Sequence, residues 1–489
     1  MGVLRKLASQ SAIYGLSSVV PRLLNYFLVV LHSRIFTESE YGVITELYAY
    51  VAVLLILLTF GLETGFFRFA GKRENNPPEA NRVFGTIFHF LGATSLLFFL
   101  LCWIFLTPIA QFLDYSNNPS LLLMMFAILS IDSWSATLFN RLRWEERPIA
   151  FSTIKIVSVI VNIGLNLLFL LVFPRLGLYN ASFGVGYVLL SNLIGSGVAW
   201  LLAFIACHGV PRFFSWRTLT PILAFSFPLL LSGLAGTTNE FMDRIFIKWL
   251  SPAADPLSEL GIYGANGKIA VLLVLFVQMF KFAAEPFFFS TADEKNDPKI
   301  YAIVTKYFWY FTLFILVGIL FYIPLLQYFI GSNFRTGIGV IPILLVANLL
   351  YGLFFNVSFW YKLQKRTWYG VLFTLTGALV TLIVNLWLTP LLSYYGAAIA
   401  RVASYAVMCA LCTLIGHKYF PVPYDYLRLF GSALLAAAIV TLGSILPVNN
   451  MIVLTVLRTL LLLLMLLILM RMENYNPRKL LLLWKRRSK

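Results

Sequence analysis

Residues 43–67 read VITELYAYVAVLLILLTFGLETGFF. The stretch is longer than the roughly 20 residues a helix needs to cross a bilayer core. It is apolar on every side, so a helix here has no face to offer water. Two carboxylates interrupt it, Glu46 near one end and Glu63 near the other. Runs of the same kind fill the rest of the chain, at 11–35, 83–107, 120–140, 149–173, 181–207, 219–247, 261–289, 302–329, 338–361, 369–390, 394–416, 427–446 and 451–470. Turn signals such as Asn75-Asn76-Pro77-Pro78, Asn117-Asn118-Pro119 and Ser251-Pro252 separate them. Only helices and closed barrels satisfy their backbone groups in lipid. Barrel strands would alternate over about ten residues, and these runs do not. The expected fold is an all-α integral membrane protein with about fourteen transmembrane helices.

Composition agrees. Of 489 residues, 60% are hydrophobic and 12% charged, against about 25% charged in a soluble domain. The net charge of +17 would suggest nucleic acid as a partner of a soluble protein. Here the cations sit in alternate loops, which is how membrane proteins mark their cytoplasmic side. No nucleic-acid partner is expected. One side receives Arg5 and Lys6, then Arg68, Lys72, Arg73 and Arg82, then Arg141, Arg143 and Arg147, and so on to the basic tail after Arg471. The other side holds Arg34, Arg175, Lys248 and Arg335. This places both termini in the cytoplasm. The first run is long enough to be a retained span rather than a cleaved leader. Cys102, Cys207, Cys409 and Cys412 lie in or beside apolar runs without metal-ligand spacing, and the four histidines are scattered. Neither a metal, a cofactor nor an enzyme activity is expected.

The end of the quoted stretch recurs. Phe60-Gly61-Leu62-Glu63 is echoed by Phe282-Ala283-Ala284-Glu285, and the same spacing carries Tyr41-Gly42 onto Tyr263-Gly264. Arg34-Ile35-Phe36 is echoed by Arg244-Ile245-Phe246, and Asn166 and Gly177 by Asn385 and Gly396. Six spans therefore repeat in the same direction, a parallel repeat of the kind found in secondary transporters, with the site near the midplane between repeats. The expected organisation is an N-lobe at 1–210, a C-lobe at 211–420, and a two-helix extension with a basic tail at 421–489.

Ionisable groups inside spans are functional candidates by default, and here they crowd into spans 1, 2, 7 and 8. The cationic and amide candidates for holding an anion are Arg22, Asn25, Arg244, Lys268, Lys281 and Arg401. The acidic candidates, for ion coupling or charge pairing, are Glu63, Glu240, Asp243 and Glu285. Glu240 and Arg244 are spaced to pair along one helix. Gln278, Lys281 and Glu285 share a face, with Lys268 close to it. Glu46, Lys248 and Lys155 lie near helix ends and are expected to snorkel. Arg22 is at mid-depth after Pro21 and needs an anionic partner, either Glu63 or Glu285 from a neighbouring span or a substrate, and a diphosphate suits guanidinium and ammonium groups. Arg458, in the extension, has no account from sequence.

At these residues a resemblance enters. Asp243-Arg244-Ile245-Phe246-Ile247 with the later ELGIYGANGKIA (259–270), NLWLTPLLSYYGAAIARVAS (385–404), PRLLNYFLVVLHSRIFTESEYG (21–42) and FGLETGFFRFAGK (60–72) resemble the polysaccharide flippases of the multidrug/oligosaccharidyl-lipid/polysaccharide exporter superfamily. The resemblance covers nearly the whole chain. It implies two six-helix lobes in a V around a central cavity, working by alternating access. It implies movement of an undecaprenyl-diphosphate-linked oligosaccharide from the cytoplasmic to the outer leaflet of a bacterial inner membrane. Glycan polymerases and glycosyltransferases would be partners. Lipid II flippases of the superfamily are the near alternative, but Asn25 and Leu28 stand where a second arginine is usual. A cation-coupled exporter of amphipathic small molecules, resting on Glu63, Asp243 and Glu285, is another. A membrane-bound glycan polymerase or ligase would need a substantial outer loop, and none exceeds about a dozen residues.

Overall fold

The computed structural model describes residues 24–71, 77–294, 297–364, 366–447 and 450–473, less the side chains of 77, 283, 285–287 and 289–294. The described residues are helical with short connections and contain no strand. In chain order the helices are α1 (24–35), α2 (Glu38–Thr59), α3 (Leu62–Ala70), α4 (Pro77–Ile104), α5 (Leu106–Phe112), α6 (Pro119–Trp144), α7 (Pro148–Leu167), α8 (Phe173–Arg175) and α9 (Gly186–Ala206). Then come α10 (Trp216–Leu250), α11 (Pro256–Glu294), α12 (Pro298–Leu326), α13 (Ile341–Val357), α14 (Phe359–Leu363), α15 (Trp368–Leu392), α16 (Tyr394–Tyr419), α17 (Tyr426–Ile445) and α18 (Met451–Met472). Among the described residues, 13 helical stretches are long and apolar enough to cross a membrane. The first expected span falls mostly before residue 24, outside them.

Local chemistry sets the ends. A capping box starts α2: Glu40 N–H donates to the Thr37 hydroxyl and Thr37 N–H to the Glu40 carboxylate. Prolines open α6, α7 and α12, where a missing N–H loses nothing. Asn450 caps α18 by accepting from Ile452 N–H at 2.9 Å. The run at 43–67 is not one helix, as its composition suggests. Phe60 (φ 52°) and Gly61 (φ 65°) are both left-handed and split it into α2 and α3. At Gly61 a Cβ would also meet Ser226 O at 3.0 Å, so α3 leaves the break packed against α10. Glu63 then lies in the first turn of α3, where the helix dipole favours an acid.

The chain packs as two compact units. One holds the residues up to Lys268 with Ile330–Gly337 and Trp368–Ser404; the other holds Ile269–Phe329, Ile338–Thr367 and the chain from Tyr405. In the first unit, Phe66, Phe84, Ile87, Leu138 and Ala203 form one apolar core, and Leu47, Leu122, Met125 and Leu189 another. The echoed asparagines behave alike. Asn166 Nδ2 donates to Asn162 O at 2.9 Å, and Asn385 Nδ2 to Thr381 O at 2.7 Å. Both are fully buried, four residues past the carbonyl they satisfy.

In the second unit, the α17–α18 hairpin is tied to α12 in two places. Arg458 supplies one tie: its Nε donates to Gly443 O at 3.1 Å and its Nη1 to Phe321 O at 3.3 Å. Glu473 supplies the other, accepting from Lys306 at 2.6 Å, Arg428 at 3.0 Å and the Tyr310 hydroxyl at 3.2 Å. Burial by itself would raise the Glu473 carboxyl, but Lys306, Arg428 and Tyr310 outweigh it and hold it below the usual range. Arg458 thus satisfies backbone carbonyls, the account its sequence did not provide. Arg458→Leu is expected to lower stability by about 1.5–3 kcal/mol, the worth of hydrogen bonds to a charged donor. Thermal unfolding of the purified protein in detergent checks it.

Candidate functional site in the first unit

Helix position gives depth, at about 1.5 Å per residue. Within the first unit, α2, α11 and α16 begin and α10 finishes at one end, here the α2 end. Asp243 lies seven residues before the end of α10. Tyr263 and Arg401 lie seven residues into α11 and α16. All three are therefore about 10 Å from that end, and their side chains meet. Asp243 is 2% exposed. It accepts from the Tyr263 hydroxyl and faces Arg401 Nη1 at 3.6 Å. Arg244 joins it through its own N–H at 2.9 Å and its guanidinium at 3.4 Å. The expected Glu240–Arg244 pair takes a different form. Arg244 Nη1 donates to the Glu240 carbonyl at 3.0 Å, and its acid partner is Asp243.

Close packing surrounds this cluster. A Cβ on Gly261 would stand 1.9 Å from Glu38 O, one on Gly42 1.9 Å from Leu257 O, and one on Gly331 1.9 Å from Ser33 O. Gly42 belongs to one echoed Tyr-Gly pair and Gly261 lies two residues before the other, and Tyr41 packs edge-on against Phe334 at 5.4 Å. Backbone meets backbone here, and the α2 end of the unit is sealed.

Beside the seal is a second charged group that sequence reasoning misplaced. Glu46 and Lys248 do not snorkel. Glu46 is 0% exposed and pairs with Lys248, itself 6% exposed, at 2.9 Å. The Tyr115 hydroxyl donates to Glu46 at 2.7 Å and Lys248 donates to Leu113 O at 2.6 Å. Burial, then the Glu46 charge, push the Tyr115 hydroxyl well above its ordinary range, so it stays a donor. The two residues lie far apart in sequence, on α2 and α10, and only the crossing of those helices reveals the pair. The Lys155 ammonium stands 4.0 Å over the Phe139 ring.

Deeper lies a different set. Lys268 is twelve residues into α11 and Asn25 ten residues from the end of α1. Both are therefore about 15–18 Å from the α2 end, near the middle of a core about 30 Å thick. Both side chains are exposed. The Lys268 ammonium lies 5.7 Å from the centre of the Tyr26 ring. Arg244 adds to the positive field at Lys268. Asn25 Oδ1 accepts from Asn162 Nδ2 at 3.5 Å. Asn162 Oδ1 accepts from Asn166 Nδ2 at 3.1 Å, and Asn166 Oδ1 from His32 Nε2 at 2.8 Å. This ladder rises from the exposed Asn25 to the buried His32. Tyr26, His32 and Asn162 were not read as site residues; the pairing of Asn166 with Asn385 was the one hint.

The remaining candidates lie elsewhere. Glu63 is 59% exposed and bonds Arg143. Lys281 is in the second unit, where it donates to the Tyr351 hydroxyl at 3.1 Å and stands 4.7 Å over Phe355. Arg22 and the Glu285 side chain fall outside the described residues. Among the described residues no cluster of His, Cys, Asp and Glu has the makings of a metal site.

Comparison with known proteins narrows the reading. No curated protein sequence matches the chain. A solved structure titled "Lipid II flippase MurJ, inward closed conformation" superposes with a TM-score of 0.76 over 96% of this chain and 100% of that one, at 14% identity. An inward-facing multidrug resistance MATE family transporter of the MOP superfamily superposes with a TM-score of 0.67 over 84% of this chain and 97% of that one, at 15% identity. At such identities the likeness shows a shared fold, that of a multi-pass membrane transporter. A family model described as "Polysaccharide biosynthesis protein" matches residues 7–292. More than half of the chain is covered, and the chain belongs to that polysaccharide biosynthesis protein family.

Proposed function

We propose that the protein is a flippase for a diphosphate-linked lipid oligosaccharide, working by alternating access between two leaflets. The observation that carries this reading is Lys268. An exposed ammonium at bilayer mid-depth is costly in lipid, and its charged neighbour Arg244 repeats its sign. Such a group belongs in a wet passage that receives an anion. A lipid diphosphate fits, because its charge enters the passage while its tail stays in hydrocarbon. The family supplies the glycan context. The proposed setting is a bacterial inner membrane with both termini cytoplasmic and the α2 end outside. An undecaprenyl carrier would be loaded by glycosyltransferases and unloaded to a polymerase.

The cation-coupled exporter is less well supported. Two of its three carboxylates are already engaged, Asp243 by Arg244, Arg401 and Tyr263 and Glu63 by Arg143; the Glu285 side chain lies outside the described residues. A coupling ion would have to displace these partners.

In a strain lacking the gene, Lys268→Ala is expected to abolish surface glycan while the protein stays at normal level in the membrane. Lys268→Arg should retain most export. A charge-assisted contact of about 1.5–3 kcal/mol corresponds to roughly 10- to 150-fold in substrate affinity. Normal export by Lys268→Ala would remove the midplane cation from the mechanism.

A further inference from the structure

The amide ladder ends at Asn25, next in sequence to the tyrosine that faces the proposed diphosphate cation. Asn25 adjoins Tyr26 in sequence, and Tyr26 lies against Lys268 at 5.7 Å. In a lipid-diphosphate sugar the first ring hangs directly from the distal phosphate. Whatever borders the phosphate subsite on this unit therefore borders that ring.

We infer that Asn25 and Asn162 form a sugar subsite, binding hydroxyl or N-acetyl groups of the residue nearest the diphosphate. This rests on the flippase reading and adds the part of the substrate that the pair contacts.

Three observations support it. First, Asn25 is exposed at mid-depth. A carboxamide facing hydrocarbon lacks partners, which polar groups in membranes avoid. Its place is therefore toward water or a polar ligand. Second, the ladder orients it. His32 is 5% exposed and Asn166 0%, so the inner rungs are fixed in a packed core. Asn162 is held by Asn166 at 3.1 Å, and it in turn holds the Asn25 carbonyl at 3.5 Å. That contact uses Asn25 Oδ1 and leaves its amide hydrogens for a ligand. Third, the chemistry suits a neutral polar group. A carboxamide both donates and accepts, as a hydroxyl does, and carries no charge to bind phosphate at a distance. Sites built to bond a hydroxyl discriminate strongly against ligands that lack it.

The test compares two probes on the full-length protein in lipid nanodiscs. One is a polyprenyl diphosphate carrying a single N-acetylhexosamine; the other is the same polyprenyl diphosphate without a sugar. Asn25→Ala and Asn162→Ala are each expected to weaken binding of the sugar-bearing lipid about 10-fold, and to leave the bare diphosphate lipid unchanged. Asn25 lies at the exposed end of the ladder, so its variant keeps the test open if Asn162→Ala fails to fold. An equal loss for both lipids, or no loss for either, overturns the subsite. Lys268→Ala reports separately on the flippase reading and should weaken both lipids alike. If it weakens neither while the asparagine variants act selectively, the phosphate reading fails and the sugar contact stands. A wild-type protein that binds neither lipid overturns both.

Discussion

Lys248→Met is expected to destabilise the protein by about 3–5 kcal/mol, the usual consequence of removing one partner from a buried ion pair. The magnitude follows from what is left behind. Glu46 is 0% exposed, so its carboxylate cannot turn to water when the ammonium goes. It would keep the Tyr115 hydroxyl at 2.7 Å and the Tyr50 hydroxyl, neutral donors against a full charge. Leu113 O, which accepts from Lys248 at 2.6 Å, would lose that donor as well. The double variant Glu46→Leu/Lys248→Met should recover most of the loss, because paired replacement of buried ions by apolar groups is often near neutral. Thermal or denaturant unfolding in detergent, on both single variants and the double, measures this as a cycle. Equal stability of Lys248→Met and wild type would mean that the pair is not held in the folded membrane protein.

Gly261→Val is expected to prevent the seal at the α2 end from closing. A Cβ at that position would stand 1.9 Å from Glu38 O and 2.9 Å from Gly42 N. Carbon and oxygen need about 3.5 Å, so α2 and α11 would have to part by more than 1 Å at their tightest point. No rotamer relieves this, because the obstacle is backbone on both sides. Overpacking of this kind typically costs 1–3 kcal/mol, and here the cheapest relief is to abandon the contact. Thr45 packs against Gly264 in the same seal. A cysteine at Thr45, in a background lacking the native cysteines, should react slowly with an impermeant maleimide and about 5- to 150-fold faster with Gly261→Val, since each 1.4 kcal/mol is tenfold in the open population. An unchanged labelling rate would show that the seal accommodates the larger residue.

Much of this architecture was legible in the sequence, for reasons that particular residues make plain. The spans follow from run length alone. Of the residues echoed in the sequence, Asn166 and Asn385 make the same bond to their own helices. What composition could not show was where helices break and cross. Phe60 and Gly61 sit inside an unbroken apolar run, and nothing in a hydropathy pattern marks a non-glycine residue that adopts a left-handed turn. Spacing along one helix suggested Glu240 for Arg244, whereas the fold offers the adjacent Asp243 with Arg401 and Tyr263 from two other helices. Depth was the larger omission. The charges of α10 and α11 read as one central set, yet helical rise separates Asp243 and Lys268 into two levels, and Lys281 belongs to the second unit.

The double tie of Arg458 and Glu473 makes the terminal hairpin a passenger of α12. Fastened near both ends, α17 and α18 cannot shift independently of it without breaking bonds to charged groups. A dye or spin label on the outward face of α18, for instance at Leu463 (48% exposed), would therefore track α12. The hairpin offers a ready-made lever for watching the second unit move.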